Sequence, residues 1–275
     1  MRIVSLQPSI TLTITALGRL DTLCGLTKYC IEAMPELASL GLPILHDSWT
    51  ANTAEIAACQ PDLVIASVPY RMESLAAILK SGLPVLALAP HSLADIFKDI
   101  RLLAALTFAT GAGERLIATC EAELAAARAL TDALPHPTVY CEEWGKPLIR
   151  SQRWVAELVA AAGGEYLGEP GAHTTAEEVA ASDPDALVFA WCGAGDRVPL
   201  ARVIEQRHWH DLRAVRNGNV FCVPDEFFNT PAHTLMEGLR SLTAALHPDR
   251  FPTPPRLVRH QKVALLRPAK RPNPK

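Results

Sequence analysis

The sequence predicts an α/β fold built on parallel sheets and organised as two similar lobes. Three observations carry the prediction. Short β-branched apolar runs alternate with longer stretches of helical periodicity; a helix–turn–strand unit occurs twice; and a long helical segment separates two sets of strands.

The first set of strands is expected at Ile3 to Leu6, Thr22 to Thr27, Leu63 to Ala66 and Val85 to Leu88. Between Ser92 and Ala133 the pattern is helical, interrupted near Gly111 and Gly113. Ser92 with Asp95 makes a helix start, and Pro135 with Pro137 a stop. The second set of strands is expected at Val139 to Glu142, Ala186 to Ala190 and Val220 to Val223. The repeated unit is TAEIAACQPDLVIA from Thr53 to Ala66, echoed by TAEEVAASDPDALVFA from Thr175 to Ala190. Each copy reads as an Ala-rich helix, a Pro-Asp turn and a strand too apolar to face water.

Composition narrows the function. The 275 residues are 49% hydrophobic and 20% charged, enough for a sizeable core, and no apolar run is long enough to span a membrane. Seven basic residues (Arg256, Arg259, Lys262, Arg267, Lys270, Arg271 and Lys275) and no acid occupy the last twenty positions, so the remainder is more acidic than the net charge of −3 suggests. Such a body is unsuited to nucleic acid, which needs clustered Lys and Arg. The Pro-rich end, 251–275, is expected to be a disordered, solvated tail. Gln7, Pro8 and Ser9 break the first apolar run, so no signal peptide is expected. The seven scattered cysteines favour a reducing compartment. Both point to the cytoplasm, or to the periplasm if an export signal is missing from this chain.

In open α/β sheets, ligands sit beyond the carboxyl ends of the strands. The loops there hold Gln7, Pro8, Ser9, Lys28, Tyr29, Cys30, Pro69 and Tyr70 in the first half, with Ser48 and Trp49 before a helix start near Asn52. In the second half they hold Glu143, Trp144, Lys146, Trp191, Cys192, Phe227, Phe228 and Asn229. Each aromatic could be ordinary packing; together they suggest walls for a flat ligand. Lys146 and Arg150 could meet anionic groups or be solvated surface charges. Glu73 and Asp196 are expected to open helices, where acids suit the positive end. The segment from Gly193 to Val198 lacks the final small residue of a dinucleotide fingerprint. His208 and His210 are spaced poorly for a shared metal on a helix. No catalytic motif, catalytic cofactor or metal site is expected.

The segments RIVSLQPSITLTITALGRLDTLCGLTKYC, TAEIAACQPDLVIA, EEWGKPLIRSQRWVAELVAAAGG, WCGAG and FFNTPAHTLMEGLRSLTAALHP resemble the cobalamin-binding branch of the helical-backbone metal-chelate receptors. These are the substrate-binding proteins of cobalamin, siderophore and haem importers. The resemblance runs from about residue 2 to 248. It implies two Rossmann-like lobes (1–111 and 134–250) joined by one rigid helix (112–133), with a ligand clamped between facing loops. It further implies a monomeric binding protein for cobalamin or a related corrinoid, possible acidic docking points for an ABC importer permease at Glu73 and Asp196, and no catalysis. A siderophore or haem as ligand, a cytosolic corrinoid-handling enzyme using Cys30 or Cys192, and a regulatory module with no ligand are the competing expectations.

Overall fold

A computed structural model describes residues 1–260. The chain runs β1 (Ile3–Ser5), α1 (Pro8–Ala16), β2 (Leu23–Thr27), α2 (Lys28–Ala33), β3 (Ile44–Leu45), α3 (Thr53–Ala58), β4 (Leu63–Ser67), α4 (Met72–Lys80) and β5 (Val85–Leu88). These strands form one five-stranded sheet in the order β3-β2-β1-β4-β5, parallel throughout. Strand periodicity decides which helix each residue meets. Val4, Leu6, Val64 and Ala66 pack on Ile56, Leu75 and Ile78 from α3 and α4, while Ile3 and Ile65 pack on Ile10, Ile14 and Leu17 from α1 and its end. Both faces are covered, which is why these strands read as unbroken apolar runs.

Two helices follow, α5 (Leu93–Leu106) and α6 (Thr110–Thr131). Ser92 caps α5, its hydroxyl accepting from the Asp95 amide at 3.2 Å. The break falls at Thr107–Ala109 rather than at the glycines, which both lie inside α6. Gly113 is instead where the helices touch: a Cβ there would meet the Ala104 Cβ at 2.5 Å. At 22 residues and 1.5 Å per residue, α6 is roughly 33 Å long. Helix α5 packs closely on α6 at Gly113. The far end of α5 joins the first core through Leu103 and Ala104. Its start joins the second core through Leu93, Ile96, Phe97 and Ile100, and Glu157 accepts the Leu93 amide at 2.8 Å.

The second half contains β6 (Thr138–Gly145), β7 (Leu148–Arg150), α7 (Arg153–Ala161), β8 (Glu165–Tyr166), β9 (His173–Thr174), α8 (Ala176–Ser182), β10 (Ala186–Phe189), α9 (Leu200–Gln206), α10 (Arg213–Asn217), β11 (Val220–Cys222), α11 (Leu235–Leu246) and β12 (Val258–Arg259). Its sheet runs β12-β11-β10-β6-β7-β9, with β8 also paired to β6. It is mixed, not parallel throughout: β6, β8, β10 and β11 are parallel, β7 and β12 run antiparallel to them, and β9 pairs antiparallel with β7.

The repeat is structural. Gln60 (φ 47°) and Asp183 (φ 41°) end α3 and α8 in the left-handed region. The aspartate of each Pro-Asp turn then pins the neighbouring central strand. Asp62 accepts the Arg2 amide at 2.7 Å and Asp185 the Thr138 amide at 2.9 Å.

The expected tail behaves differently up to residue 260. Val258 and Arg259 pair with β11, Arg256 bonds Glu226 and lies 3.7 Å from Asp196, and Arg259 donates to the Gly218 carbonyl at 2.7 Å. The later basic residues, from Lys262 to Lys275, lie outside the described residues. No helix among the described residues is long and apolar enough to cross a membrane.

Candidate functional site

In the first half, the loops after β1, β3 and β4 converge on one carbonyl. The oxygen of Pro69 accepts from Gln7 Nε2 at 2.8 Å, Ser48 Oγ at 3.1 Å and Trp49 Nε1 at 3.1 Å. Gln7 also donates to the Ser48 hydroxyl at 2.6 Å. This knot leaves the Trp49 ring exposed, with Tyr70 partly buried next to Pro69. Tyr29 is exposed, the Lys28 ammonium 4.7 Å from its ring centroid. Pro8 begins α1 and is half-buried.

Four expected contacts are buried. Cys30 has no exposed surface; its sulfur lies 3.1 Å from Thr11 Oγ1 and 3.3 Å from Thr27 Oγ1. Ser9 is buried in α1, and Phe228 is fully enclosed in the core with Leu235 and Trp154. Ser48 is also buried and acts in the knot behind Trp49. Their loop positions suggested exposure, but Phe228 packs in the apolar core, while Cys30 and Ser48 are buried against polar neighbours.

In the second half, β6 overhangs the sheet and turns back into β7, placing Trp144, Gly145 and Lys146 at the rim. Trp144 is exposed and its indole donates to the Lys146 carbonyl at 2.9 Å. Trp191 follows β10, and its Nε1 donates to Glu142 Oε1 at 2.8 Å. Glu142 is wholly buried; it accepts two bonds from Arg207, at 2.7 and 2.8 Å, and one from the Tyr140 hydroxyl at 2.5 Å. The guanidinium in turn lies 4.8 Å from the Trp209 ring centroid. A Cβ at Gly145 would meet Trp191 Cζ2 at 2.5 Å, so the indole lies directly on the strand backbone. Trp191 is thus held on its edge and its face.

The loop after Trp191 is held from below. Asp225 accepts the Gly193 and Gly195 amides, both at 2.8 Å, so the glycine amides that a nucleotide phosphate would need are already occupied. Asn229 donates to the Ala190 carbonyl at 2.7 Å and lies 3.2 Å from Cys192 Sγ. Cys192 is exposed at the rim. Burial, then the Glu143 and Asp225 charges nearby, raises its thiol pKa. Burial also pushes the Glu143 carboxyl up, opposed by a bond from Gln152 at 2.8 Å.

A cavity of about 430 Å³ opens at this rim, lined by Trp144, Gly145, Lys146, Trp191, Cys192, Gly193, Ala194, Pro199, Arg202, Val203 and Gln206. All belong to the second half; Trp49 and Tyr70 do not line it. Pro199, Arg202, Val203 and Gln206 were not anticipated, although their spacing marks one face along α9.

Other expected residues are placed elsewhere. Phe227 is half-buried, with the Arg256 guanidinium 5.3 Å from its ring centroid. Arg150 donates to the His173 carbonyl and to Thr174 Oγ1 rather than facing the rim. Glu73 lies in the first turn of α4. Asp196 opens no helix; it sits in the turn before α9, beside Arg256. His208 and His210 flank the buried Trp209, and His210 Nε2 lies 3.0 Å from Glu205. No group of three or more His, Cys, Asp and Glu among the described residues could hold a metal.

The chain matches the Periplasmic binding protein family over residues 3–227 and belongs to it. That makes it a binding protein rather than an enzyme. It is 22% identical over 269 residues to an uncharacterised ABC transporter substrate-binding lipoprotein of Bacillus subtilis, covering 91% of this chain and 81% of that one. A cobalamin-binding protein of Halobacterium salinarum is 22% identical over 259 residues, covering 90% and 69%. Among solved structures, a periplasmic haem-binding protein from Roseiflexus is 27% identical with a TM-score of 0.76, covering 90% and 98%. The names of these relatives give no support to a cytoplasmic placement.

Proposed function

We propose that this chain is a substrate-binding protein that holds a planar metal macrocycle, cobalamin in the first instance, between its two lobes and delivers it to an ABC importer. The observation that carries the reading is the pair of indoles, Trp144 and Trp191, walling one cavity at the carboxyl end of the second sheet. A flat ring gains most from rigid aromatic faces, and Trp191 cannot easily turn away. Trp49, Tyr70, Gln7 and Tyr29 supply the opposing wall from residues 1–111, with α6 keeping the lobes apart. Delivery is supported by the lipoprotein relative's name, and Glu73, in the first turn of α4, is the more exposed of the two docking acids.

Haem is the second reading, supported by the Roseiflexus relative and by Arg202 joining Lys146 at the cavity. Titration with cyanocobalamin, haem and a ferric siderophore, followed by absorbance and calorimetry, separates them. Micromolar or tighter binding of cobalamin without chemical change is expected; silence toward all three overturns the proposal. Fractionation of native cells should find the chain outside the cytoplasmic membrane.

A further inference from the structure

The cavity beside α9 is chemically lopsided. Its walls are two indoles, its neutral polar group is Gln206, and its two charges, Lys146 and Arg202, are both positive; no acid lines it. The nearby acids are engaged by other donors. Asp225 holds the Gly193 and Gly195 amides, and Glu143 accepts from Gln152 and lies 4.0 Å from the Cys192 sulfur. The arginines of the second lobe that form ion pairs among the described residues are Arg153, Arg207, Arg213, Arg240 and Arg256; neither Lys146 nor Arg202 takes part.

Two cations lining one cavity that has no acid among its lining residues give it a positive potential, which favours an anionic oxygen. At about 430 Å³ the cavity is toward the small end of ligand sites, and one lobe alone builds it. It suits a side arm of a ligand whose body lies elsewhere in the cleft. We infer that this cavity is an anion-arm subsite, taking a carboxylate or phosphodiester that projects from the edge of the macrocycle onto Lys146 and Arg202. The inference rests on the macrocycle reading and names what that ligand must carry.

The test uses matched ligands with and without the arm: haem against its dimethyl ester, and cyanocobalamin against dicyanocobinamide, which lacks the phosphodiester. Each is titrated into the native protein and into the Lys146→Gln/Arg202→Gln variant. Both side chains are solvent-facing, so the variant should keep the native circular dichroism spectrum. In at least one pair the armed ligand should bind roughly tenfold tighter or more to the native protein, the size of a charge-assisted hydrogen bond. That gap should collapse in the variant. The pair that shows it identifies the arm as carboxylate or phosphodiester. Equal affinity within every pair that binds, or a gap that persists in the variant, overturns the inference. Should no macrocycle bind, the function reading fails and quenching of tryptophan emission decides the subsite separately. Iodide should quench more efficiently relative to acrylamide in the native protein than in the variant; an unchanged ratio refutes the cationic pocket.

Discussion

Replacing Arg207 with Met should cost the second lobe more than any other single surface-to-core change at the rim. The guanidinium supplies two of the four bonds to a carboxylate with no exposed surface, and is itself only 10% exposed. Methionine keeps an apolar stem beside Trp209 but leaves Glu142 with the Tyr140 hydroxyl and the Trp191 indole as its donors. Breaking a buried pair from one side costs about 3–5 kcal/mol. The two remaining donors place the expected loss near the lower end, about 3 kcal/mol. The double variant Glu142→Gln/Arg207→Met removes both charges and should recover more than half of that loss. Urea unfolding followed by far-ultraviolet circular dichroism measures both, the midpoint shift being converted through the denaturant slope. A loss below about 1 kcal/mol in the single variant, or equal losses in the single and double variants, would refute the argument. It would mean that water or a local shift solvates the carboxylate once its partner is gone.

Trp144→Ala, at an exposed position, should leave the melting temperature nearly unchanged but weaken macrocycle binding by about thirty-fold, some 2 kcal/mol; calorimetry showing less than threefold would remove Trp144 from the wall. Gly145→Ala places a methyl 2.5 Å from the Trp191 ring, and should cost about 1–3 kcal/mol with a shift in tryptophan emission. A native melting temperature would show that the indole can step aside. Asp99 offers a pH test: burial, then the neighbouring Asp95 charge, pushes its carboxyl from 3.8 up to about 6. The folded chain therefore binds this proton more tightly, a contribution present at low pH and lost as pH rises through about 6. Asp99→Asn should raise stability at pH 7.5 by about 1 kcal/mol after allowance for partial exposure, the advantage shrinking below pH 6. An advantage independent of pH would contradict it.

The regular elements were legible because their signals are local. The strand runs at Ile3, Leu63, Val85 and Ala186 are apolar on both faces, and the caps at Asn52, Ser92 and Thr175 sit next to the helices they begin. The repeat was legible because each copy carries its helix, Pro-Asp turn and apolar strand within one short segment, although each aspartate bonds an amide far away in sequence. The antiparallel additions β7, β9 and β12 were not, since strands of two or three residues carry too little periodicity. At the candidate site, sequence located the rim but not the direction of each side chain. Cys30, in the helix after β2, and Phe228, in a rim loop, are both buried. Arg202 carried no local signal for the site, because it shares a cavity with Lys146 from a distant part of the sequence. The pairing of Glu142 with Arg207, 65 residues apart, leaves no trace in either local pattern.

The start of α5 gives the molecule an architecture in which order along the gene and membership in a core disagree. Leu93, Ile96, Phe97 and Ile100 precede the long helix in sequence but complete the interior of the half that follows it. A fragment cut after residue 111 would carry away part of its neighbour's filling, leaving each piece with an oily scar. The halves therefore share a single structural fate, and heat or protease should find no seam at that point.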